Sequence, residues 1–261
     1  MEENKVSIIT LEEKEKWGDI VKSFSNYDVF YLPEYVEAFK MHGDGEPILF
    51  YYDDGKTKAM NVVMKRDIAK AQAFKDKLEK NKYFDLSSPY GYGGFILEGE
   101  NYKKVNKAYK KFCKKNNIIS EFVRFHLLEG YEKKYNGKAE NIKHNIIRKL
   151  DMEPEEMLMD FEHKVRKNIK KANRNGLQIE IDTEGKTLDD FLNIYYSTMD
   201  RNNAEDGYYF ERELTEKINE MKDNVVYFNV LYEGKVISTE LVIYSPNNCY
   251  SYLGGTLSEY F

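Results

Sequence analysis

Tryptophan, cysteine and proline are scarce: the chain of 261 residues has one Trp (Trp17), two Cys and five Pro. Cys113 and Cys249 lie far apart in sequence and lack metal-ligand spacing. They argue against a disulfide framework or a thiolate metal site and for two free thiols in a reducing compartment. His42, His126, His144 and His163 form no H-E-x-x-H or other paired metal spacing. There is no P-loop, and neither cysteine has a local nucleophile signature. No run approaches the ~18 apolar residues of a membrane span. The opening Met-Glu-Glu-Asn-Lys has no apolar h-region, so no signal peptide is expected. Together these absences argue against a metal hydrolase, a thiol protease and an NTPase, and they predict a cytoplasmic protein without a bound metal.

What is present is charge and tyrosine. The chain carries a net charge of -5 and a pI near 5.6, which makes a basic segment on it a local feature. Apolar residues reach 41%, enough for a globular core, and the length suits one large domain or two of about 130 residues. The chain has 22 Tyr and 15 Phe, and most of the Tyr excess follows from the codon bias that also favours Lys, Asn and Ile. A Tyr can nevertheless bury its ring while its hydroxyl stays wet, which suits broad polar clefts.

The most informative stretch runs from Asp160 to Gly176. Leu158, Phe161, Val165, Ile169 and Ala172 recur at three- and four-residue spacing and predict one apolar helical stripe. Gly176 stands where a left-handed C-cap belongs, with Leu177 as its hydrophobic contact. Between His163 and Arg174 there are six basic residues and no acidic one. Lys164, Lys167, Lys171 and Arg174 lie opposite the stripe, where they complement the helix dipole and keep the surface wet. Arg166 and Lys170 lie beside it, where a side chain can reach into a cleft. An Arg there has the planar fork for a bidentate phosphate contact.

This segment, from Asn145 to Asp182, with Lys-Val-Arg-Lys-Asn-Ile-Lys-Lys-Ala inside it, resembles the start of the second domain of Fem-type transferases. That family builds peptidoglycan cross-bridges with aminoacyl-tRNA and has relatives known as GNAT-fold acyltransferases. A second segment, Ile194-Tyr-Tyr-Ser-Thr-Met-Asp-Arg-Asn-Asn-Ala204 followed by Tyr208-Tyr209-Phe210, is similar to the Thr-Met-x-Arg segment of the same relatives. The resemblance implies an N-acyltransferase or aminoacyltransferase. It implies that the arginine of the basic helix, Arg166, meets the diphosphate of a nucleotide-linked precursor, with Lys170 sharing the charge. It also brings Arg201 and Asn202 forward as substrate-binding residues. Amine acylation needs a base, for which Asp200, Glu205, Asp206 and Glu240 are candidates, and Tyr208 could supply a hydroxyl or pack its loop.

The element order fits. Strand, two helices, three strands, a glycine loop, a helix and a strand are expected over residues 1–150. They include a hairpin around Asp54-Gly55-Lys56 and a last strand from Asn141 to Leu150. Residues 151–261 begin the order again, with a second hairpin around Glu233-Gly234-Lys235. The expected fold class is therefore α+β: tandem GNAT-like domains with mixed, mainly antiparallel sheets. The second copy is expected to be incomplete, because a full one would continue past Phe261 into a glycine loop, a helix and another strand; either the chain is cut or something else completes the sheet. Its last strand would present an open edge near Gly254 and Gly255, through which an oligomer could form.

Further candidates follow from position. Pro89-Tyr90-Gly91-Tyr92-Gly93-Gly94 follows a strand, and such a loop can present N–H groups to an anion. It lacks the Gln/Arg-x-x-Gly-x-Gly/Ala lead of a coenzyme A loop; the resemblance to Fem-type proteins, whose corresponding first-domain loop lies by the acceptor site, implies an acceptor-facing loop, and the alternative is an irregular strand end packed with tyrosines. Tyr31, in Tyr31-Leu-Pro-Glu-Tyr35, opens a helix as in the family's first domain. Glu240 interrupts the apolar run Val236–Ile243, where burial would raise its pKa toward that of a working base. Ser238, Glu240 and Val242 share a strand face that could equally be wet. The reading is transfer of an acyl or aminoacyl group to an amine of a phosphate-bearing cell-wall or surface-polysaccharide precursor. Aminoacyl-tRNA or acyl-coenzyme A is the donor. The alternative is a non-catalytic anion- or nucleic-acid-binding protein on a degenerate GNAT-like scaffold.

Overall fold

The computed structural model describes residues 5–260. Met1–Asn4 and Phe261 lie outside the described residues, and with them the start of the expected leaderless N-terminus and the point where the second copy was expected to break off. Ten strands and seven α-helices alternate along the described chain. They are β1 (Val6–Ile9), α1 (Lys14–Lys22), α2 (Pro33–His42), β2 (Glu46–Asp53), β3 (Lys58–Asp67), β4 (Phe84–Ser87), β5 (Ile96–Glu98), α3 (Tyr102–Lys115) and β6 (Ile118–Phe122). Then come α4 (Pro154–Asp160), α5 (His163–Arg174), β7 (Gln178–Asp182), α6 (Leu188–Arg201), α7 (Arg212–Asn219), β8 (Val225–Tyr232), β9 (Lys235–Tyr244) and β10 (Cys249–Thr256). The class is mixed α+β with mainly antiparallel sheets, as expected.

The chain divides into two compact units that are not consecutive halves. One holds the chain up to Lys138 together with Phe210–Val225 and Ile243–Tyr250; the other holds Ala139–Tyr209, Val226–Val242 and the chain from Ser251 on. In the first, five strands follow the order β1-β2-β3-β4-β6, with β5 on β3. All pairs are antiparallel except β4 with β6, the pair joined through helix α3, as a parallel pair requires a crossover. Val105 and Tyr109 sit one turn apart on α3 and close the core over Phe50, Val63, Leu86 and Phe95. Helix α7 joins this unit because its Leu214 and Ile218 are buried and it packs against α2.

In the second unit the sheet runs β10-β9-β8-β7, and α6 buries Leu188, Phe191, Leu192, Ile194 and Tyr195, with the Phe191 ring against Tyr227. Both hairpin turns place their glycine at positive φ, Gly55 at 79° and Gly234 at 78°. They differ in length: β8 and β9 are joined by two residues, Glu233 (φ 50°) and Gly234, the primed turn that matches strand twist. The first hairpin spends four residues, with Asp54 accepting from the amides of Lys56 and Thr57.

Two sequence expectations are corrected. Asn141–Leu150 forms no strand; no described strand pairs with it, and Ile142, Ile146, Ile147 and Leu150 are exposed. The predicted single basic helix breaks at Phe161, which is extended (ψ 146°). Arginines satisfy the freed carbonyls: Arg166 Nη1 donates to the carbonyls of Met159 (2.8 Å) and Phe161, and Arg148 donates to that of Met157 at 3.0 Å. Basic side chains at a helix C-terminus replace the missing backbone donors.

Candidate active site

In the first unit the glycine loop is held from below by two tyrosines. Trp17 donates its indole N–H to the Tyr31 carbonyl (2.8 Å), which fixes the turn before α2. Tyr31, fully buried, donates its hydroxyl to the Gly94 carbonyl (2.9 Å), and Tyr35 donates to the Tyr90 carbonyl (2.7 Å). The structure thus uses Tyr31 as a support for the loop, with its hydroxyl spent, rather than as an outward ligand. The Gly93 N–H donates to the Arg124 carbonyl at 2.8 Å, so that amide is not offered to an anion. Gly91, at φ 95°, needs to be glycine because an added Cβ would fall 2.4 Å from the Phe30 ring. Tyr90 stacks on Phe39 and meets Phe210 edge-on, while Tyr92 packs on Phe30 and tilts against Tyr250.

Behind this tyrosine wall lies a cluster the sequence did not announce. Asp28 is wholly buried and accepts four hydrogen bonds: from Val29 N–H (2.6 Å), His126 Nε2 (2.9 Å), Asn248 Nδ2 (2.9 Å) and the Tyr250 hydroxyl (2.7 Å). His126 accepts the Leu128 N–H on Nδ1 at 3.2 Å, which assigns its ring proton to Nε2 and points that proton at Asp28. Four donors on one carboxylate let it stay inside without a Lys or Arg partner. The Tyr250 hydroxyl is pushed far up in pKa by burial, then by the charge and hydrogen bond of Asp28. Asp28 in Val29-Phe30-Tyr31 company and His126 in Val123-Arg-Phe-His-Leu carried the available signal: polar residues inside apolar runs.

The second unit holds the carboxylate candidates. Glu240 lies on the half-buried face of β9, opposite the row Ile237, Thr239, Leu241 and Ile243, and accepts the Ser251 hydroxyl from β10. Burial raises its pKa, and the Ser251 hydrogen bond only partly opposes that. Gly254 lies so close that a Cβ there would meet the Glu240 carboxylate at 2.3 Å. Asp200 is exposed at the end of α6 and accepts the Tyr209 hydroxyl (2.8 Å). Arg201 donates to the Thr256 carbonyl (3.1 Å), and Asn202 ends the helix through its N–H to the Thr198 carbonyl. Tyr208 exposes its own side chain, and its carbonyl accepts the Tyr195 hydroxyl. Arg166 spends Nη1 on the end of α4, while Lys170 is exposed on α5.

The predicted residues therefore fall into four groups: Tyr31, Tyr90, Gly91, Tyr92 and Gly93 in the first unit; and, in the second, Asp200, Arg201, Asn202 and Tyr208 at the end of α6, Arg166 and Lys170 on α5, and Glu240 on β9. Among the described residues no group of three His, Cys, Asp or Glu side chains could hold a metal ion. No helix of the described chain is long and apolar enough to cross a membrane.

The FemAB family model matches residues 99–216, a span that takes in helix α3, the basic helix and the Thr-Met-Asp-Arg segment. The solved structure of FemX is similar in fold, with a TM-score of 0.65 over 97% of this chain and 81% of that one, at 16% identity. A search of curated proteins finds no match. The resemblance to Fem-type peptidoglycan bridge aminoacyltransferases read from the sequence is borne out.

Proposed function

We propose that this protein transfers an aminoacyl group from aminoacyl-tRNA to an amine of a peptidoglycan precursor. The observation that carries this reading is the FemAB match across residues 99–216. The same match favours tRNA over coenzyme A as donor, since Fem-type enzymes use aminoacyl-tRNA. In this reading the two units are GNAT-like copies, the acceptor bears a diphosphate, and the protein works in the cytoplasm. The amine attacks the ester carbonyl, a C–N bond forms, the C–O bond to the terminal ribose breaks, and a proton ends on the ribose oxygen. Such a reaction needs a neutral amine and a group to take its proton. Glu240 is our candidate, because burial raises its pKa and so makes its carboxylate a stronger proton acceptor. Arg166, with Nη1 on the α4 carbonyls, is held so that the rest of its fork can meet a phosphate.

The test is incubation of the protein with a charged tRNA pool and either nucleotide-linked or lipid-linked muropeptide, read by mass spectrometry. The expected result is a gain of one amino-acid residue on the muropeptide. No mass gain with any amino acid and either acceptor overturns the proposal. Glu240→Gln should then lower turnover by about 10²–10⁴-fold if it is the base, and an unchanged pH profile would remove it from that role.

A further inference from the structure

Helix α3 has seven lysines and no carboxylate on a chain of net charge -5. Its buried face is Val105 and Tyr109, and every lysine on it is exposed. Helix stability does not explain this arrangement. Lys103 and Lys104 sit in the first turn, where the dipole disfavours cations and where no acidic residue compensates. Lys103, Lys107, Lys110 and Lys114 follow the four-three-four spacing of one stripe, where like charges repel. Lys104 reaches Asp54 at 3.7 Å. Among the described residues no ion pair holds Lys103, Lys110, Lys133 or Lys134.

The stripe is also one wall of a groove. Lys133, Lys134 and Tyr135 form the opposite wall, and the space between is about 530 Å³. The two walls are tied together: Asn106 of α3 donates to the Lys134 carbonyl (2.9 Å) and accepts the Tyr131 hydroxyl (2.6 Å). Tyr131 is itself packed in the core. A fixed groove lined on both sides by lysines, with a tyrosine ring at its edge, suits a run of phosphodiesters better than one anion. The lysine stripe extends about 16 Å at 1.5 Å per residue, several phosphates long.

We infer that the α3 groove docks the double-helical backbone of the donor tRNA. This rests on the aminoacyl-tRNA reading above, and the experiment keeps the two separable. Deacylated tRNA binding would be measured by fluorescence anisotropy across a salt series for the intact chain. Wild type would be compared with a Lys103→Ala, Lys110→Ala, Lys134→Ala triple variant and with a control that removes the exposed lysines 75, 77 and 80. The triple variant should bind roughly 10- to 100-fold more weakly at low salt. Its log K against log salt should be shallower by about 2–3, one unit for each lost phosphate contact. The control should match wild type, and all three should melt alike. Equal loss in both variants, no loss in the triple variant, or no tRNA binding by wild type overturns the inference. Co-sedimentation with phosphatidylglycerol vesicles in place of tRNA binding overturns it too. The transfer assay with charged tRNA reads the function independently: transfer by the triple variant at wild-type KM for tRNA removes the groove and leaves the activity.

Discussion

Two helices of this protein are almost interchangeable by composition. Helix α3 and helix α5 are both lysine-rich, both lack carboxylates, and both carry an apolar stripe. Their surroundings differ completely. Val105 and Tyr109 of α3 are buried in the first unit's core, whereas α5 buries no residue, and its Val165 and Ile169 stay 39% and 37% exposed. Periodicity therefore reports which face a helix would bury, and says nothing about whether a partner surface exists to bury it. The units also bury their aspartates differently. Asp28 of the first is held by donors far away in sequence, His126, Asn248 and Tyr250, whereas Asp182 of the second is held by its near neighbours Glu184 and Thr187.

The most severe way to break that contrast is to remove the first unit's buried anion. Asp28→Ala leaves His126, Asn248 and Tyr250 facing an empty acceptor position, and unfolding by urea should show a loss of about 3–5 kcal/mol. A loss below about 1 kcal/mol would mean that water replaces the carboxylate readily and that the cluster is not closed.

The helices themselves give a smaller and more direct comparison. Val105→Ala on α3 should cost about 2–3 kcal/mol through the cavity it leaves. Ile169→Ala on α5 should change stability by no more than about 0.5 kcal/mol, the scale of surface substitutions. Equal costs, measured by the same denaturant titration, would show that α5 is packed in solution as tightly as α3.

Much of this was legible in the sequence, and the misses share a cause. The hairpins, α3, α6 and the basic helix were readable because alternation and 3.6-residue spacing are local. The apolar residues of Asn141–Leu150, at 142, 146, 147 and 150, do not alternate as a strand's would, and a strand also needs an edge to pair with, which no local pattern encodes. The break at Phe161 depends on Arg148 and Arg166 reaching back to the carbonyls of α4. The Asp28 cluster draws on residues 28, 126, 248 and 250, so only the folded chain brings it together. Tyr31 and the glycine loop are separate expectations of the sequence; that they meet, with the Tyr31 hydroxyl turned inward to Gly94, is a tertiary fact.

The smallest expected effect is one of pH, and it compares one carboxyl from each unit. Burial raises the pKa of Glu121 in the first unit, partly opposed by hydrogen bonds from Tyr109 and Asn61, and of Glu240 in the second. A carboxyl whose folded pKa lies above its unfolded value holds its proton longer in the folded state. Its contribution to stability is therefore fully present below the unfolded value near 4.5 and declines as pH rises through the raised folded value. Glu121→Gln and Glu240→Gln should each flatten that decline, with stability relative to wild type improving from pH 4 toward neutrality. Glu121 should show the larger change, because it lies deeper and shares its site with Tyr109 and Tyr135. Paired denaturant titrations at pH 4, 5.5 and 7 would read both. If Glu240→Gln lost stability as the pH rose, the Glu240 carboxylate would have to be stabilised by a partner other than Ser251, and its candidacy as a proton acceptor would fall with the desolvation that motivates it.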